Sequence, residues 1–277
     1  GFESTYLSHA ADPSFRTISA SGAAISGMLI HALETGAIDG ALVARTVVEN
    51  RKVRARFDIA RSRDEILAAR GSIYVELKFV RDALPLIEKF DGMLAVVGLP
   101  CHIDIMRRRM KRDENVRAKV KVLIALVCGH SSRPQLIDNY TASLERRSRS
   151  RLVEYHFRSG HWRGQSTAGF EDGTTVKNPF SRFSLYQNLY FFSEKKCFQC
   201  IDHFGYNADI SVGDVWSMPL KNDPVKHSGL LIRNRCGRDF HNLATAAGVL
   251  DSRPIDAAEI MEGQARTAPF HYNISAR

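Results

Sequence analysis

The chain has 277 residues, with 39 Lys and Arg against 30 Asp and Glu, so its net charge is +9 at pH 7. This length can bury a sizeable core in one large or two medium domains, and the positive charge favours acidic partners. No apolar run approaches the roughly 20 residues of a membrane-spanning helix, so we expect no membrane span. Five cysteines without a signal peptide or a disulfide framework favour a reducing, cytoplasmic location.

The positive charge is concentrated in two basic runs, at residues 107–112 and 146–151. Such runs are typical of solvated helix ends, and they can also face an acidic redox protein or an anionic nucleotide cofactor. Aromatic residues are not interleaved with them as platforms for base stacking, so we expect no nucleic-acid partner. Because residue 1 is Gly rather than Met, we also expect a trimmed N-terminus or a tag remnant.

The first predicted element is a helix over residues 21–36. Small residues open it at Ser21 and Gly22, apolar residues then recur at helical spacing, and a glycine can end it. Further along, Ser62 and Glu65 form a capping box that opens another helix. The other elements predicted in this part of the chain are strands at 38–46 and 52–59 and helices at 63–70 and 77–90.

The middle of the chain alternates apolar strands with helices. The strands predicted at 93–98 and 120–128 are continuously apolar, which indicates burial on both faces of a sheet. Helices are predicted after them at 101–111 and 134–146. This alternation predicts an α/β fold with a mixed sheet and flanking helices.

A small antiparallel β insert is predicted near residues 151–177, because short strands and the turn Glu171-Asp172-Gly173 form a hairpin pattern. Its strands are expected at 152–158, 166–170 and 174–177. The remaining predicted elements are a helix at 181–191, strands at 208–212 and 230–235 and a helix at 238–249. The tail from Arg253 is expected to be peripheral.

Four of the five cysteines stand where a metal ion or cluster could collect them. Cys101 and Cys128 end the two apolar strands, and the carboxyl ends of strands in an open α/β sheet are where ligands gather. Cys197 and Cys200 form a Cys-x-x-Cys pair in a polar loop, which can place two thiolates on one ion or cluster. Structural zinc and a redox dithiol are the alternatives for this pair. Cys236 has no partner in the sequence and is expected to take no part.

The start of the helix at 21–36 is a candidate phosphate site, because unpaired backbone N–H groups and the helix dipole favour an anion there. An ordinary capped helix is the alternative. Gly71-Ser72 is a second small-residue turn of the same kind. His102 and His130, beside Cys101 and Cys128, can each act as a donor or be a satisfied loop histidine, and Asp214 can face a cofactor or cap its turn.

Five short segments, taken in chain order, carry a family resemblance. They are Ser21-Gly22-Ala23-Ala24 with its exit at 36–40, Gly98-Leu99-Pro100-Cys101-His102, Cys128-Gly129-His130, Cys197-Phe198-Gln199-Cys200 and Ala208-Asp209-Ile210-Ser211-Val212-Gly213-Asp214. In this order they resemble the coenzyme F420 hydrogenase/dehydrogenase beta-subunit family, which also includes reductases of chlorophyll side groups. The resemblance spans most of the chain.

The resemblance implies an iron–sulfur flavoprotein oxidoreductase with FAD and a [4Fe–4S] cluster. Electrons would pass from a one-electron donor, such as a ferredoxin-like protein, to a two-electron acceptor, such as a deazaflavin or an organic substrate, in some relatives within polysaccharide pathways. The implied cluster ligands are Cys101, Cys128, Cys197 and Cys200. The implied FAD-binding residues are Ser21, Gly22, Ala23, Ala24, Gly71 and Ser72. The flavin part would comprise residues 1–95 and the iron–sulfur part residues 96–277.

The sequence departs from the family pattern at several positions. The second Gly of the phosphate helix is Ala23, the first Ser is Ala20, and Ile73 replaces the cation of a Gly-Ser-Lys-Tyr turn. No Cys precedes Cys101, so the ferredoxin-like segment of many relatives would need residues upstream of this sequence. Two alternatives stay open, namely a non-catalytic electron-transfer subunit of a larger complex and a zinc-stabilised binding protein. A homo-oligomer and a complex subunit are both compatible with the sequence.

Overall fold

The computed structural model describes residues 1–264. The strands in this range are β1 (Ser4–Ala10), β2 (Gly40–Glu49), β3 (Lys52–Ala60), β4 (Leu94–Gly98), β5 (Val120–Leu126), β6 (Leu152–Ser159), β7 (Gln165–Phe170), β8 (Thr175–Pro179), β9 (Ile210–Asp214), β10 (Ser228–Ile232) and β11 (Leu250–Pro254). The α-helices are α1 (Ala24–Glu34), α2 (Arg63–Ala68), α3 (Phe79–Asp82), α4 (Leu84–Lys89), α5 (Pro100–Arg112), α6 (Glu114–Lys119), α7 (Pro134–Ser148), α8 (Ser181–Gln187), α9 (Arg235–Ala246) and α10 (Ala257–Gly263).

Eight strands form one mixed sheet in the order β11-β1-β10-β9-β5-β4-β2-β3, and β6, β7 and β8 form a second sheet. The middle pairs β2·β4, β4·β5 and β5·β9 are parallel. The outer pairs and the three-stranded sheet are antiparallel. The predicted class, α/β with a mixed sheet, flanking helices and a small antiparallel insert, is confirmed.

Helices cover both faces of the large sheet. Met28 of α1 and Phe240 of α9 pack on one face, and Ile87 of α4 and Ile103 of α5 pack on the other. β4 and β5 lie between these layers, so their continuous apolar sequences are buried on both sides. The burial of β4 and β5 on both faces therefore explains why their sequences are continuously apolar.

The insert has a core of its own. Tyr155 and Phe157 of β6, Phe170 of β7 and Phe183 of α8 are buried together with apolar residues of α7. Val53 of β3 joins this cluster, which attaches the insert to the edge of the large sheet. The strands lie close to the predicted positions in the insert.

Two predicted helices differ from the observed ones for backbone reasons. The first begins at Ala24 rather than at residue 21, because Ala23 has the left-handed backbone conformation φ 60° and ψ 21°. The predicted helix at 77–90 consists of α3 and α4, and Pro85 in the first turn of α4 has no N–H to continue a helix across the junction.

The prediction that the tail from Arg253 is peripheral is wrong. β11 ends at Pro254 and pairs with β1, and α10 buries Ile260 against Leu7 of β1. Neither β1 nor β11 is predicted from the sequence. The rest of that tail, residues 265–277, lies outside the described residues. None of the helices in residues 1–264 combines the length and the apolar composition that crossing a bilayer requires.

Candidate functional site

The two single cysteines lie where β4 and β5 end. Cys101 is in the first turn of α5, directly after β4, and Cys128 is two residues beyond β5. β4 and β5 are parallel neighbours with Gly98 opposite Ala125. The structure therefore places both cysteines at one edge of the large sheet, as the strand pattern indicates.

The Cys-x-x-Cys pair lies in and directly after a 3-10 turn, Lys195–Gln199, that follows α8. The N–H of Glu194 donates to the carbonyl oxygen of Ser131 at 3.0 Å. The N–H of Ser131 in turn donates to Cys197 Sγ at 3.4 Å. The pair is thus anchored to the segment that leaves β5.

The four thiols lie within electrostatic reach of one another. Burial raises the pKa of Cys101 to about 11, while Lys196 lowers it and Cys200 and Cys197 raise it. Burial also raises the pKa of Cys128 well above its ordinary value, and Cys101, Cys197 and Cys200 add to the increase. By themselves, the buried thiols are therefore neutral at pH 7.

Cys236 stands apart from this group. It is exposed on α9, and its Sγ donates to the carbonyl oxygen of Lys121 at 3.0 Å. Within residues 1–264, no three Cys, His, Asp or Glu side chains are close enough together to hold one metal ion. A zinc ion needs all its ligands within roughly 2.0–2.3 Å, whereas the four thiolates of a [4Fe–4S] cluster each bind a different iron. A single-ion site and a cluster site therefore place different demands on the same four thiols.

A cleft of about 1450 Å³, including its open mouth, runs along the same region. One part of its wall is the loop before α1, another is the exit of β5, and apolar residues such as Val43 and Phe57 lie between. The predicted site residues that line it are Ser21, Ala23, Ala24, Gly71, Ser72, Cys128, His130 and Asp214. Of the four predicted cysteine ligands, Cys128 lines this cleft together with the predicted phosphate residues, whereas Cys101, Cys197 and Cys200 do not line it.

Gly22 faces away from this cleft. A Cβ atom there would lie 2.5 Å from the carbonyl oxygen of Ser8 and 2.9 Å from the N of Ser228. The N–H of Gly22 donates to Ser228 Oγ at 3.1 Å. The backbone at Gly22 lies so close to β1 and β10 that a side chain does not fit there. A larger residue would therefore disturb the packing of the loop even without a ligand.

Two histidines border the cleft. The Nδ1 atom of His102 accepts the N–H of Leu99 at 3.2 Å, so its Nε2 carries the proton, and this buried donor has no partner within residues 1–264. Burial lowers the pKa of His102 to about 3, so the ring is neutral. His130 is also buried, with Nε2 at 3.1 Å from the carbonyl oxygen of Gln187.

Asp214 is held by Arg158 of β6. Arg158 is only 4% exposed and donates to the carboxylate of Asp214 at 2.7 Å and to Tyr74 Oη at 3.2 Å. Its second amino group donates to the carbonyl oxygen of Ala20 at 3.0 Å. This pairing favours an anchoring role for Asp214 over proton transfer.

The basic residues near the cysteines divide into paired and exposed ones. Arg107 donates to the buried carboxylate of Asp209, and Arg109 lies 2.8 Å from both Glu88 and Asp113. These two arginines are engaged within the protein. The exposed basic side chains of α5 and of the turn at Lys195–Gln199 are Arg108, Lys111, Arg112, Lys195 and Lys196, and Arg108 also lies 3.9 Å from Asp104.

Some residues of the site carry no signal in the sequence. Arg158 lies in a predicted strand of alternating pattern, Ser228 precedes an apolar strand, and Lys226 lies in a polar loop. Nothing in their sequence neighbourhoods distinguishes them from surface residues. Their roles follow from the packing of the insert and of β10 against the loop before α1.

Fold and site define an α/β protein with a thiol-bordered cleft at the carboxyl edge of a mixed sheet. The family model for the N-terminal part of the coenzyme F420 hydrogenase/dehydrogenase beta subunit matches residues 5–81, and the model for the C terminus of the same beta subunit matches residues 91–258. The chain therefore belongs to the coenzyme F420 hydrogenase/dehydrogenase beta-subunit family, as its sequence motifs predict.

Individual relatives are distant. Coenzyme F420 hydrogenase subunit beta of Methanosarcina barkeri is 24% identical over 243 residues, which are 85% of this chain and 76% of that protein. Its counterpart from Methanothermobacter thermautotrophicus is 24% identical over 254 residues, 88% of this chain and 82% of that protein. An uncharacterized protein of Methanocaldococcus jannaschii is 25% identical over 238 residues, which are 83% of this chain and 60% of that protein.

The fold also matches a solved structure. A chain of the F420-reducing [NiFe] hydrogenase complex from Methanosarcina barkeri superposes with a TM-score of 0.73 at 20% identity, and the match covers 100% of this chain and 92% of that chain. This likeness shows a shared fold.

Proposed function

We propose that the chain is an iron–sulfur flavoprotein oxidoreductase in which electrons pass from a one-electron donor, through a [4Fe–4S] cluster and FAD, to a two-electron acceptor. The observation that carries the proposal is the single cleft whose wall contains both the loop before α1 and Cys128. One bound cofactor can therefore contact the loop before α1 and lie beside Cys128. A flavin supplies the chemistry that such a pathway needs, because it accepts single electrons and delivers a hydride.

Cys101, Cys128, Cys197 and Cys200 are the residues that would hold the cluster. Four thiols are the usual donor set of a [4Fe–4S] cluster, and their mutual influence supports a common site. The N-terminal end of α5 opposes the effect of burial on Cys101, because a positive dipole end stabilises a thiolate. The N–H of Ser131 donates to Cys197 Sγ, and a hydrogen bond of this kind supports a ligating sulfur.

The residues around the cleft also fit a flavin nucleotide. Ser21, Ala23 and Ala24 stand at the start of α1, where backbone N–H groups have no partner within the helix, and Gly71 and Ser72 line the same cleft. Gly22 packs this loop against β1 and β10 on the side away from the cleft. Apolar wall residues suit a planar ring, and the buried Nε2–H of His102 offers a hydrogen bond to an acceptor atom of the ligand.

The proposed division of labour assigns flavin binding to residues 1–95 and the cluster to residues 96–277. The two family models meet in the same region of the chain, which supports a boundary there. None of the five cysteines, all of which lie within residues 1–264, forms a disulfide, which suits a reducing compartment such as the cytoplasm.

The acceptor is proposed to be a deazaflavin or another organic substrate, and the donor a ferredoxin-like protein. A second candidate function is a non-catalytic electron-transfer subunit, because two relatives are named as hydrogenase subunits and the solved relative is part of a complex. A chain that holds cluster and flavin and turns over no acceptor by itself would support this second function.

An anaerobic absorption spectrum, combined with iron, sulfide and flavin assays on the purified chain, tests the proposal. We expect about four iron atoms, about four sulfides and about one FAD per chain. A colourless protein with one zinc ion per chain would contradict the proposal and would favour a zinc-stabilised binding protein.

A further inference from the structure

Two cations lie behind the loop that precedes α1. Lys226 Nζ donates to the carbonyl oxygen of Ser19, and Arg158 donates to the carbonyl oxygen of the next residue, Ala20, at 3.0 Å. Lys226 lines a small separate cavity, and Ala20 and Ser21 line both this cavity and the large cleft. The loop is therefore the wall between the two spaces, with Lys226 on the side of the small cavity.

Peptide geometry connects these cations to the cleft. In a trans peptide unit the C=O group and the N–H group of the following residue point in opposite directions. Since the carbonyl groups of Ser19 and Ala20 point to the cations, the N–H groups of Ala20 and Ser21 point away from them. Within residues 1–264 neither amide donates a hydrogen bond, whereas the amide of Gly22 is bonded to Ser228.

We propose that Lys226 and Arg158 are positioning residues for phosphate recognition, which orient two consecutive peptide groups so that the amides of Ala20 and Ser21 bind a phosphate of the flavin nucleotide. The proposal rests on the flavin function proposed above. The charges of Lys226 and Arg158 also favour phosphate binding. Both cations interact with Asp214, whose single negative charge offsets only one of them, so a net positive charge lies next to the loop. These amides add to those at the start of α1.

The environment of Lys226 makes this effect dependent on pH. Burial lowers the pKa of Lys226 to about 8, Arg158 lowers it further and Asp214 raises it. The other titratable side chains that line the small cavity, or pair with one that does, are His161, His227 and Asp223. As the pH rises through about 8, Lys226 loses its proton and the Ser19 carbonyl loses its cationic partner.

The test measures flavin affinity of the full chain by quenching of flavin fluorescence, with FAD and with riboflavin, which has no phosphate. The variant is Lys226→Met, and Lys226→Arg keeps the charge. Lys221→Met is the matched control, because Lys221 is an exposed lysine in the same loop region. Thermal melting of each variant reports on folding.

We expect Lys226→Met to weaken FAD binding about tenfold at pH 7 and riboflavin binding less than about twofold, because only a phosphate uses the oriented amides. Lys226→Arg should stay within about threefold of the wild type, and Lys221→Met should not change FAD binding. From pH 7 to 9.5, FAD affinity should fall in the wild type and stay level in Lys226→Met.

Two results overturn the inference while leaving the flavin function intact. One is an FAD affinity that Lys226→Met does not change. The other is an equal loss of FAD and riboflavin affinity, which assigns Lys226 to packing alone. If the wild-type chain takes up no flavin under any of these conditions, the proposed function falls and this inference falls with it.

Discussion

Ala23 adopts a backbone conformation that is unfavourable for a residue with a side chain. Its φ of 60° and ψ of 21° lie in the left-handed region, and it is the residue immediately before α1. For a residue with a Cβ atom this conformation costs about 1–2 kcal/mol. The related motif has glycine at this position, and glycine adopts such angles without the steric cost. The strain is local to the point where the chain turns from the loop into the helix.

We expect Ala23→Gly to raise the free energy of unfolding by about 0.5–1 kcal/mol, the relief of strain less the greater freedom of glycine in the unfolded chain. Ala24→Gly is the matched control, since Ala24 is a buried residue inside α1 and glycine lowers helix stability there. Denaturant unfolding of both variants checks the prediction. A similar loss of stability in both would show that the strain at Ala23 does not contribute.

Cys200 and Cys236 provide a matched pair for the proposed cluster. Both side chains donate to a backbone carbonyl oxygen, Cys200 to Asp202 at 3.4 Å and Cys236 to Lys121 at 3.0 Å. Of these two cysteines, Cys200 influences the titration of Cys101 and of Cys128, and Cys236 does not. Cys200 and Cys236 therefore make similar local hydrogen bonds, and they differ because Cys200 is close to Cys101 and Cys128.

We expect Cys200→Ala to retain less than about a quarter of the wild-type iron, because a [4Fe–4S] cluster loses one of its four thiolates. Cys236→Ala should retain all of it. Iron and sulfide assays on anaerobically purified protein check this difference. Equal iron content in the two variants would remove the basis for the ligand assignment.

At the scale of elements, the sequence predicts the strands and helices whose apolar pattern follows from their burial. β4 and β5 are predicted because continuous apolar strands need two covering layers, and the strand-edge rule then brings Cys101 and Cys128 together. β1 is not predicted, because Ser, Thr and His interrupt its apolar positions and its partners β10 and β11 lie more than two hundred residues away. Pairing over such distances leaves no local pattern.

Arg158 shows why part of the site escapes sequence analysis. In a regular strand Phe157 and Arg158 would face opposite sides, so an outward arginine is the natural expectation. The register of β6 against β7 shifts between His156 and Ser159, and Phe157 and Arg158 are both buried. A bulge decides the position of the arginine, and a single sequence gives no sign of it.

Asp209 illustrates a motif residue with a structural task. Its carboxylate accepts the N–H of Leu123 at 2.7 Å and the side-chain amide of Asn234 at 2.7 Å, and it pairs with Arg107. It thus connects β5 to the start of α9 and to α5. The Asp-Ile-Ser segment therefore supports the middle of the sheet, and Asp214, at the carboxyl end of β9, is the motif carboxylate that lines the cleft.

We expect the contact of α9 with β1 and β11 to be sensitive to acid. His241 of α9 is buried, stacks on Tyr6 at 4.5 Å between ring centroids and lies 3.1 Å from Ser252 Oγ. Burial lowers the pKa of His241 below its ordinary value of 6.5. Below pH 6.5 the unfolded chain therefore binds more protons than the folded one, and the stability that neutral His241 provides is lost as the pH falls.

We expect wild-type stability to fall more steeply than that of His241→Gln between pH 6.5 and 5, by up to about 1.4 kcal/mol per pH unit for one proton. Ser252→Ala keeps the ring and removes its partner, so this control should retain the steep slope. Denaturant unfolding at several pH values checks the difference. Equal slopes in the wild type and His241→Gln would show that another group is responsible.

At the scale of the whole molecule, large apolar side chains are exposed around the Cys-x-x-Cys pair. Those between α8 and the loop before β9 are Leu185, Tyr186, Leu189, Phe191, Phe198, Ile201 and Tyr206. Exposed apolar groups in such number are typical of protein contact surfaces. Together with Lys195 and Lys196, they make this side of the molecule the candidate docking face for a protein donor.

The positive charge of this face is expected to raise the rate at which an acidic donor encounters it. A net charge of +9 and the exposed Arg108 and Lys195 favour an acidic, ferredoxin-like donor, and such attraction acts over a Debye length of roughly 8–10 Å near physiological salt. Arg107 and Arg109 are excluded as contacts because close ion pairs hold them within the protein, whereas the side chain of Arg108 is 77% exposed and lies 3.9 Å from Asp104. Lys196 is also excluded from the test, because its charge influences Cys101 directly.

We expect Arg108→Glu combined with Lys195→Glu to slow reduction by ferredoxin about tenfold at low salt, because charge complementarity mainly sets the encounter rate. Reversal of Arg146 and Arg147 is the control, since these exposed residues lie near the far end of α7, about 18 Å along the helix from its start. Stopped-flow mixing with reduced ferredoxin measures the rate, and dithionite, which needs no docking, should reduce all forms equally. Rates that respond neither to salt nor to the first pair would leave the apolar surface as the sole basis of docking.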